Sequence, residues 1–333
     1  MLTVSEKNKP FFMRTLEKSN AAYSEEWKCP TTYLEKANYH TRLHNCSVHS
    51  TRDAFTYANA LLATGEEADR LRAIEALDHV AHLQDKDPAN ATFGIWSWYM
   101  EEPLDKMNPP DWNWADFCGK EILQVLLYQA ERIPAELKAY LEETLRCACL
   151  SIFRRNMHPG YTNISIMGSY VTLCGGQLLG WDEMFRYGAS RFEKAWDYNL
   201  KNGTYAEYNS PTYTVEAITD LSRIYAEIKD EKVHAMAGDL LDLAWKTVAE
   251  HFHAPTGQWT GPHARSYTWL TAPNTLSFLR YALDNGEKLI SDADYQYSLQ
   301  FPYVRIECPE KYRAAFDTIV PHDVNLGFTT GMS

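Results

Sequence analysis

No stretch of the sequence is apolar over the roughly 20 residues that a membrane-crossing helix needs. The opening MLTVSEKNKPFF also lacks the apolar segment of a secretory signal. A cytoplasmic chain with no membrane partner is the default expectation, and secretion stays open because a trimmed signal peptide would leave no trace. Cysteine is scarce. The seven that occur, at positions 29, 46, 118, 147, 149, 174 and 308, are odd in number and lack the spacing of a disulfide framework. Positive charge is also short, with 32 basic against 44 acidic side chains and a net charge of -12. Such a surface repels a phosphate backbone, so nucleic acid is not an expected partner. There is no P-loop, no G-x-G-x-x-G and no G-x-S-x-G. Nucleotide binding and a nucleophile-elbow hydrolase therefore have no support. His40, His44 and His49 share one loop, and His251 and His253 flank Phe252, but HTRLHNCSVH does not fit the H-E-x-x-H pattern of a zinc helix. No metal and no cofactor is expected.

What the sequence has in abundance is helical periodicity. Leu137, Leu141, Leu145 and Cys149 recur at i,i+4 behind Pro134, which suits a helix start because its missing N–H is not needed there. Val233, Met236, Leu240, Leu243 and Ala244 mark another such face. The pattern predicts helices over 3–23, 50–64, 67–83, 113–131, 134–156, 163–179, 182–200, 212–229, 231–251 and 271–284, with a weaker one over 287–297. Their connections alternate. Thr64–Gly65–Glu66, Arg132–Ile133, Gly180–Trp181, Lys229–Asp230 and Asn285–Gly286 are short, whereas 24–49, 84–112, 157–162, 201–211 and 252–270 are long. Short links make helix hairpins, and hairpins that each bury one face must stack. The expected fold is all-α, an (α/α)5-6 toroid over 1–297 with its long loops forming a cleft at one end. Residues 298–333 are expected to pack on it as an irregular segment. The final LGFTTGMS stops abruptly, as the edge of a longer protein would.

The long loops hold the unusual residues, and structureless loops of this length are usually functional. The segment 92–114 places Trp96, Trp98, Trp112 and Trp114 beside Glu101, Glu102, Asp105 and Asp111. Trp and Tyr, which with Phe make up 13% of the chain, offer a flat apolar face with a polar edge. That surface suits the C–H faces and hydroxyl rims of sugars, although a large helical core also consumes aromatics. Trp96, Trp98 and Trp112 are candidate stacking platforms. Asp111 and Asn113 either contact substrate or cap the next helix.

Three polar constellations could carry chemistry. Gly261-Pro262-His263-Ala264-Arg265-Ser266-Tyr267 sets an imidazole, a guanidinium and a phenol at i, i+2 and i+4, on one side of an extended loop. Arg265 would grip a carboxylate through two N–H groups, while His263 and Tyr267 would move protons. Ordinary loop-pinning hydrogen bonds are the plain alternative. Trp259 precedes this run as a further aromatic contact. In Glu207-Tyr208-Asn209-Ser210-Pro211-Thr212-Tyr213, Pro211 extends Ser210 and Ser210 can cap the helix that follows. Glu207 reads as a general acid or as a clamp on a neighbour. Tyr208, Asn209 and Tyr213 read as polar groups at the mouth, or as scaffold. Finally, Asn163 opens a helix, either as its N-cap or with an amide that neutralises a substrate carboxylate.

TFGIWSWYMEEPLDKMNPPDWNWADF, the Asn163 helix opening, GTYAEYNSPTY and GPHARSYTWL together resemble the helical region of heparinase II/III-like proteins. These belong to the wider group of (α/α)-toroid polysaccharide lyases and related glycoside hydrolases. The resemblance covers most of 40–270. It implies a toroid that cleaves uronic-acid-containing glycans, with an oligo- or polysaccharide as partner. On this chain it implies Asn163 and Arg265 as carboxylate neutralisers, and Tyr213, His263 and Tyr267 as proton-transfer groups. Many relatives carry a β-sandwich after the toroid, for which this chain has no room. Two other readings stand beside the lyase. One is a glycoside hydrolase using Glu207 with Asp111, Glu101 or Glu102, because hydrolysis needs two carboxyl groups about 5–9.5 Å apart. The other is a non-catalytic carbohydrate-binding protein.

Overall fold

The computed structural model describes residues 2–319 and 321–325. The closing LGFTTGMS lies outside the described residues. The fold is all-α. In chain order its helices are α1 (Lys9–Ala21), α2 (Thr51–Thr64), α3 (Glu67–Ala81), α4 (Trp114–Tyr128), α5 (Ala135–Arg155), α6 (Thr162–Leu178), α7 (Asp182–Asn202), α8 (Tyr213–Glu227), α9 (Glu231–His251), α10 (Pro273–Ala282) and the single turn α11 (Glu310–Arg313). The only strand pairing among the described residues is three two-stranded antiparallel ribbons and one isolated bridge, Ser50 with Tyr99. The ribbons are β1 (Tyr23–Ser24) with β2 (Cys29–Pro30), β3 (Thr32–Leu34) with β4 (Cys46–Val48), and β5 (Phe252–His253) with β6 (Gln258–Trp259). Ten expected helices fall on α1 to α10.

Local chemistry explains where the helices start and stop. The Ser50 hydroxyl accepts from the Asp53 N–H at the head of α2, and Gly65, at φ 84°, ends that helix in the left-handed turn that glycine adopts freely. Asp230 caps α9 by accepting from the Val233 N–H at 2.9 Å. The face Leu137, Leu141, Leu145 and Cys149 of α5 is buried as its periodicity requires. Each leucine contributes about 1.5–3 kcal/mol of burial. The expected helix over 287–297 does not form; only the 3-10 turn Gly286–Lys288 does. Here side chains compete with the helix for the backbone. The Ser291 hydroxyl donates to Asp294 Oδ2 at 2.7 Å and accepts from the Asp294 N–H at 3.2 Å, while Tyr295 and Tyr297 turn inward.

The chain packs as two compact units. One unit comprises Met1–Asn156, Gly175–Phe185 and Ser298–Tyr303; the other comprises Met157–Cys174, Arg186–Tyr297 and Val304–Ser333. In the first, α2 packs on α3 and α4, and α4 on α5. Helix α4 is buried nearly all round. Its Glu121 carboxylate accepts from Asn59 Nδ2 at 3.1 Å and from Gln300 Nε2 at 2.7 Å. In the second, α8 packs on α9, and the long loops 201–211 and 252–270 meet beside the head of α6, as described next.

Candidate functional site

The segment before α8 is shaped by its own residues. Buried Tyr205 anchors it by donating to Leu240 O at 2.6 Å. Asn209 takes a left-handed φ of 48°, a conformation that asparagine tolerates better than most residues. After Pro211 the Ser210 hydroxyl accepts from the Tyr213 N–H at 3.3 Å, starting the helix. The 260–265 loop lies along this segment, with the Ala264 N–H on Tyr208 O at 2.9 Å. Asn209 clamps the two together. Its amide donates to Thr260 O at 2.8 Å and Pro262 O at 3.0 Å, and its Oδ1 accepts from Trp259 Nε1 at 2.5 Å.

On that frame sits a connected polar cluster. Arg265 Nη1 donates to Glu207 Oε1 at 2.8 Å, and its Nη2 donates to the Tyr267 hydroxyl at 3.2 Å. The Tyr267 and Tyr213 hydroxyls are 3.0 Å apart. The guanidinium lies over the Tyr213 ring at 4.2 Å and near the Tyr161 ring at 5.9 Å, an attraction that adds to the hydrogen bonds. The second oxygen of buried Glu207 accepts from the Asn163 N–H at 3.0 Å, and the Glu207 N–H donates to Thr162 Oγ1 at 3.3 Å. Arg265 reaches this position with a left-handed φ of 53°. Such a conformation in a non-glycine residue costs about 1–2 kcal/mol and collects at functional sites.

Environment sets the protonation. Burial pushes the Glu207 carboxyl above the usual glutamate range, although the Asn163 N–H and the Arg265 guanidinium pull the other way. Burial, then the bond with Tyr267, pushes the Tyr213 phenol up, against the pull of Arg265. Tyr213 thus stands as a neutral phenol with a proton to give.

The structure sorts the expected site residues. Glu207, Tyr213, Arg265 and Tyr267 share one network, joined by the Asn163 backbone. Asn163 is not an N-cap: α6 begins one residue earlier, and the Asn163 Oδ1 is buried without a hydrogen-bond partner. His263 parts from Arg265 and Tyr267, because the left-handed turn at 265 breaks the alternation that would have aligned them. Its Nδ1 faces Asn209 O at 2.7 Å and its Nε2 faces Trp259 O at 3.1 Å. With both nitrogens against backbone carbonyls, His263 is a strut. Asn209 and Trp259 are buried and mutually bonded, so they are scaffold and not contact surface.

Tyr208 turns to another partner. His251 Nδ1 donates to Thr247 O at 2.8 Å, which leaves Nε2 to accept the Tyr208 hydroxyl at 2.6 Å. Burial holds the His251 imidazole below its ordinary range. The pair lines a cavity of about 810 Å³ with Glu250, His253 and His322.

The tryptophan loop belongs to the first unit. Trp96 is fully buried, edge-on to Phe55, with Nε1 on Val80 O at 2.9 Å. It is core and presents no face to a ligand. Trp98 is buried too, donating to Asp111 Oδ2 at 3.1 Å. The other Asp111 oxygen accepts from the Asn113 N–H at 3.0 Å and so shapes the turn into α4, while the Asn113 amide oxygen accepts from Arg155. Trp112 is half-buried, with Nε1 on Ala91 O at 2.8 Å.

Sequence comparison adds one assignment. The family described as Domain of unknown function (DUF8769) matches residues 14–281. The chain belongs to that family. The matched span takes in every residue of the Glu207–Arg265 cluster. No curated protein matches the chain in sequence. Among solved structures it is similar to an alginate lyase A1-III variant complexed with tetrasaccharide, at a TM-score of 0.40 and 11% identity, over 91% of this chain and 94% of that one.

Trp269 lies in the same loop as Arg265 and Tyr267, outside the three polar constellations. Its signal was faint: a tryptophan between Thr268 and Leu270 in a loop already rich in aromatics.

Proposed function

We propose that this chain is a carbohydrate-active enzyme that cleaves a uronic-acid-containing glycan by β-elimination. The observation that carries the reading is Asn163. Its amide oxygen is buried and unpartnered, and its backbone binds the same carboxylate that holds Arg265. A buried polar group without a partner costs about 1–3 kcal/mol. Such a cost is consistent with a ligand group that donates to this oxygen, a sugar hydroxyl, beside a carboxylate that the N–H groups of the amide would meet.

In the proposed reaction the uronate carboxylate accepts from the Arg265 guanidinium and the Asn163 Nδ2–H, while a sugar hydroxyl donates to Asn163 Oδ1. Their donors stabilise the negative charge that develops there as the neighbouring C5–H is deprotonated. The C–H electron pair becomes the C4–C5 double bond, the C4–O bond breaks, and the leaving oxygen takes a proton. Tyr213, kept protonated by burial and by its bond with Tyr267, suits the donor role. The C5 proton goes to the Tyr267 oxygen, whose own proton passes across the 3.0 Å contact to Tyr213 as Tyr213 gives its proton to the leaving oxygen, so both phenols end as they began. Glu207 fits a positioning role, since both its oxygens are occupied, one by Arg265 and one by the Asn163 N–H. That occupancy weighs against the hydrolase reading, which needs Glu207 free to protonate a leaving group. The net negative charge of the chain makes a local cation such as Arg265 all the more necessary for an acidic glycan.

The test is incubation with a panel of uronic-acid glycans, following ultraviolet absorbance of the new double bond together with reducing ends. Both rising together, with Tyr213→Phe reducing the rate at least about 100-fold, is the expected result. Reducing ends without absorbance would overturn β-elimination and favour hydrolysis.

A further inference from the structure

Between the cluster and α10 the chain exposes an apolar tip. Trp269 is 104% exposed, Leu270 71% and Tyr267 62%. A lone exposed hydrophobic residue is ordinary, but three within four positions make a patch. The tip is braced on both sides. Tyr267 is bonded to Tyr213 and Arg265. On the far side Thr271 ties to β6, its hydroxyl accepting from the Trp259 N–H at 2.7 Å and its own N–H donating to Gln258 Oε1 at 2.9 Å. Within the tip, the Ser266 hydroxyl donates to Thr268 O at 3.1 Å and the Thr268 hydroxyl to Leu270 O at 2.7 Å. Trp269 is two residues from either anchor, a span of at most about 7 Å of chain. Its indole makes no hydrogen bond or ring contact, so a large flat apolar face is held out to solvent next to the polar cluster.

We infer that Trp269 is a substrate-binding platform, on which a sugar ring of the glycan stacks while a neighbouring uronate occupies Arg265 and Tyr213. The inference rests on the β-elimination reading and names a subsite that the polar cluster does not supply. A pyranose ring is the occupant that fits. Tyr267 belongs to both the tip and the cluster, so a chain bound through its carboxylate at Arg265 continues over the tip. The apolar C–H face of a sugar covers indole surface without leaving its hydroxyls unsolvated. The arrangement divides the work. Arg265 reads the charge of one residue, and Trp269 reads the presence of another, whatever its charge.

The experiment uses the full chain and a ladder of uronate oligosaccharides, from two to six residues, of a glycan that the wild type cleaves. KM and kcat are measured for wild type, Trp269→Ala and Trp269→Phe, with intrinsic fluorescence recorded on titration. For the longer oligosaccharides Trp269→Ala raises KM about tenfold, equivalent to about 1.4 kcal/mol. The deficit shrinks as the ladder shortens, and Trp269→Phe recovers most of the affinity. Saccharide-dependent quenching of the wild type is correspondingly smaller in both variants. Wild-type KM for Trp269→Ala at every length would overturn the platform and leave β-elimination standing. Failure of the wild type to bind or cleave any glycan of the uronate panel would overturn the β-elimination reading, and the platform with it.

Discussion

Arg265 and Glu207, 58 positions apart in the chain, are joined at 2.8 Å with the carboxylate buried and the guanidinium half-exposed. The same guanidinium bonds Tyr267 through its other arm and covers the Tyr213 ring. Lysine carries the charge but has neither the two-armed fork nor the flat face. Arg265→Lys is therefore expected to reduce kcat/KM about 10–100-fold while costing less than about 1 kcal/mol of stability, because one partner is solvent-screened. Steady-state kinetics beside urea unfolding tests this. A lysine variant with wild-type kcat/KM would show that charge alone suffices.

Glu207 also gives the stability a particular pH dependence. Burial raises its folded-state pKa above the ordinary 4.5, so the native state binds this proton more tightly than the unfolded chain does. The group's contribution is then fully present below about pH 4.5 and is lost as pH rises through the higher folded pKa. Glu207→Gln removes the titration. The unfolding free energy of wild type minus that of Glu207→Gln should fall as pH is raised through this window. A difference that instead rises with pH would mean that the pull of Arg265 outweighs burial.

The helices were legible because their cause is local. The Leu137, Leu141 and Leu145 spacing is visible in the sequence, and so are Ser50, Gly65 and Asp230 at helix ends. The stretch 287–297 departs from its helical pattern because Ser291 and Asp294 satisfy each other and the Asp294 N–H, a competition that hydrophobic spacing does not register. Within the loops, residue type announced polarity but not direction. His263, Arg265 and Tyr267 alternate in sequence, yet the left-handed turn at Arg265 sends His263 to two carbonyls and the other two to Glu207 and Tyr213. Tryptophans are equally opaque. Trp96 and Trp259 are buried and Trp269 is bare, a difference that only tertiary packing decides.

The α6–α7 hairpin depends on two glycines. A Cβ on Gly176 would lie 2.5 Å from the Phe185 backbone nitrogen, and one on Gly188 would lie 2.8 Å from that of Leu173. Backbone cannot rotate aside as a side-chain tip does. Alanine in a helix interior normally gains about 1 kcal/mol over glycine. At these two positions Gly176→Ala and Gly188→Ala are instead expected to cost about 1–3 kcal/mol by overpacking. Gly238, in α9, meets only the Tyr225 ring, at 3.5 Å, so Gly238→Ala should stabilise. Thermal unfolding of the three variants decides the matter: a stabilised Gly176→Ala would mean that the two helices separate more readily than their contact implies.

Asn163 offers the sharpest separation of function from stability. Truncating a buried polar side chain usually strands its partner and costs stability, but the Asn163 amide oxygen has no partner to strand. Asn163 also sits inside the first turn of α6, where alanine is the better helix former by up to about 0.7 kcal/mol. Asn163→Ala should therefore unfold at the same urea concentration as the wild type or a higher one, while kcat/KM falls about 100-fold or more for loss of an oxyanion donor. Asn163→Asp has nearly the same shape but places a second negative charge beside the Glu207 carboxylate, which already accepts from this residue's N–H at 3.0 Å. It should lose both activity and stability. If Asn163→Ala instead loses more than about 1 kcal/mol, the amide is a structural tie, and the donor for a substrate carboxylate has to be sought in Arg265 alone.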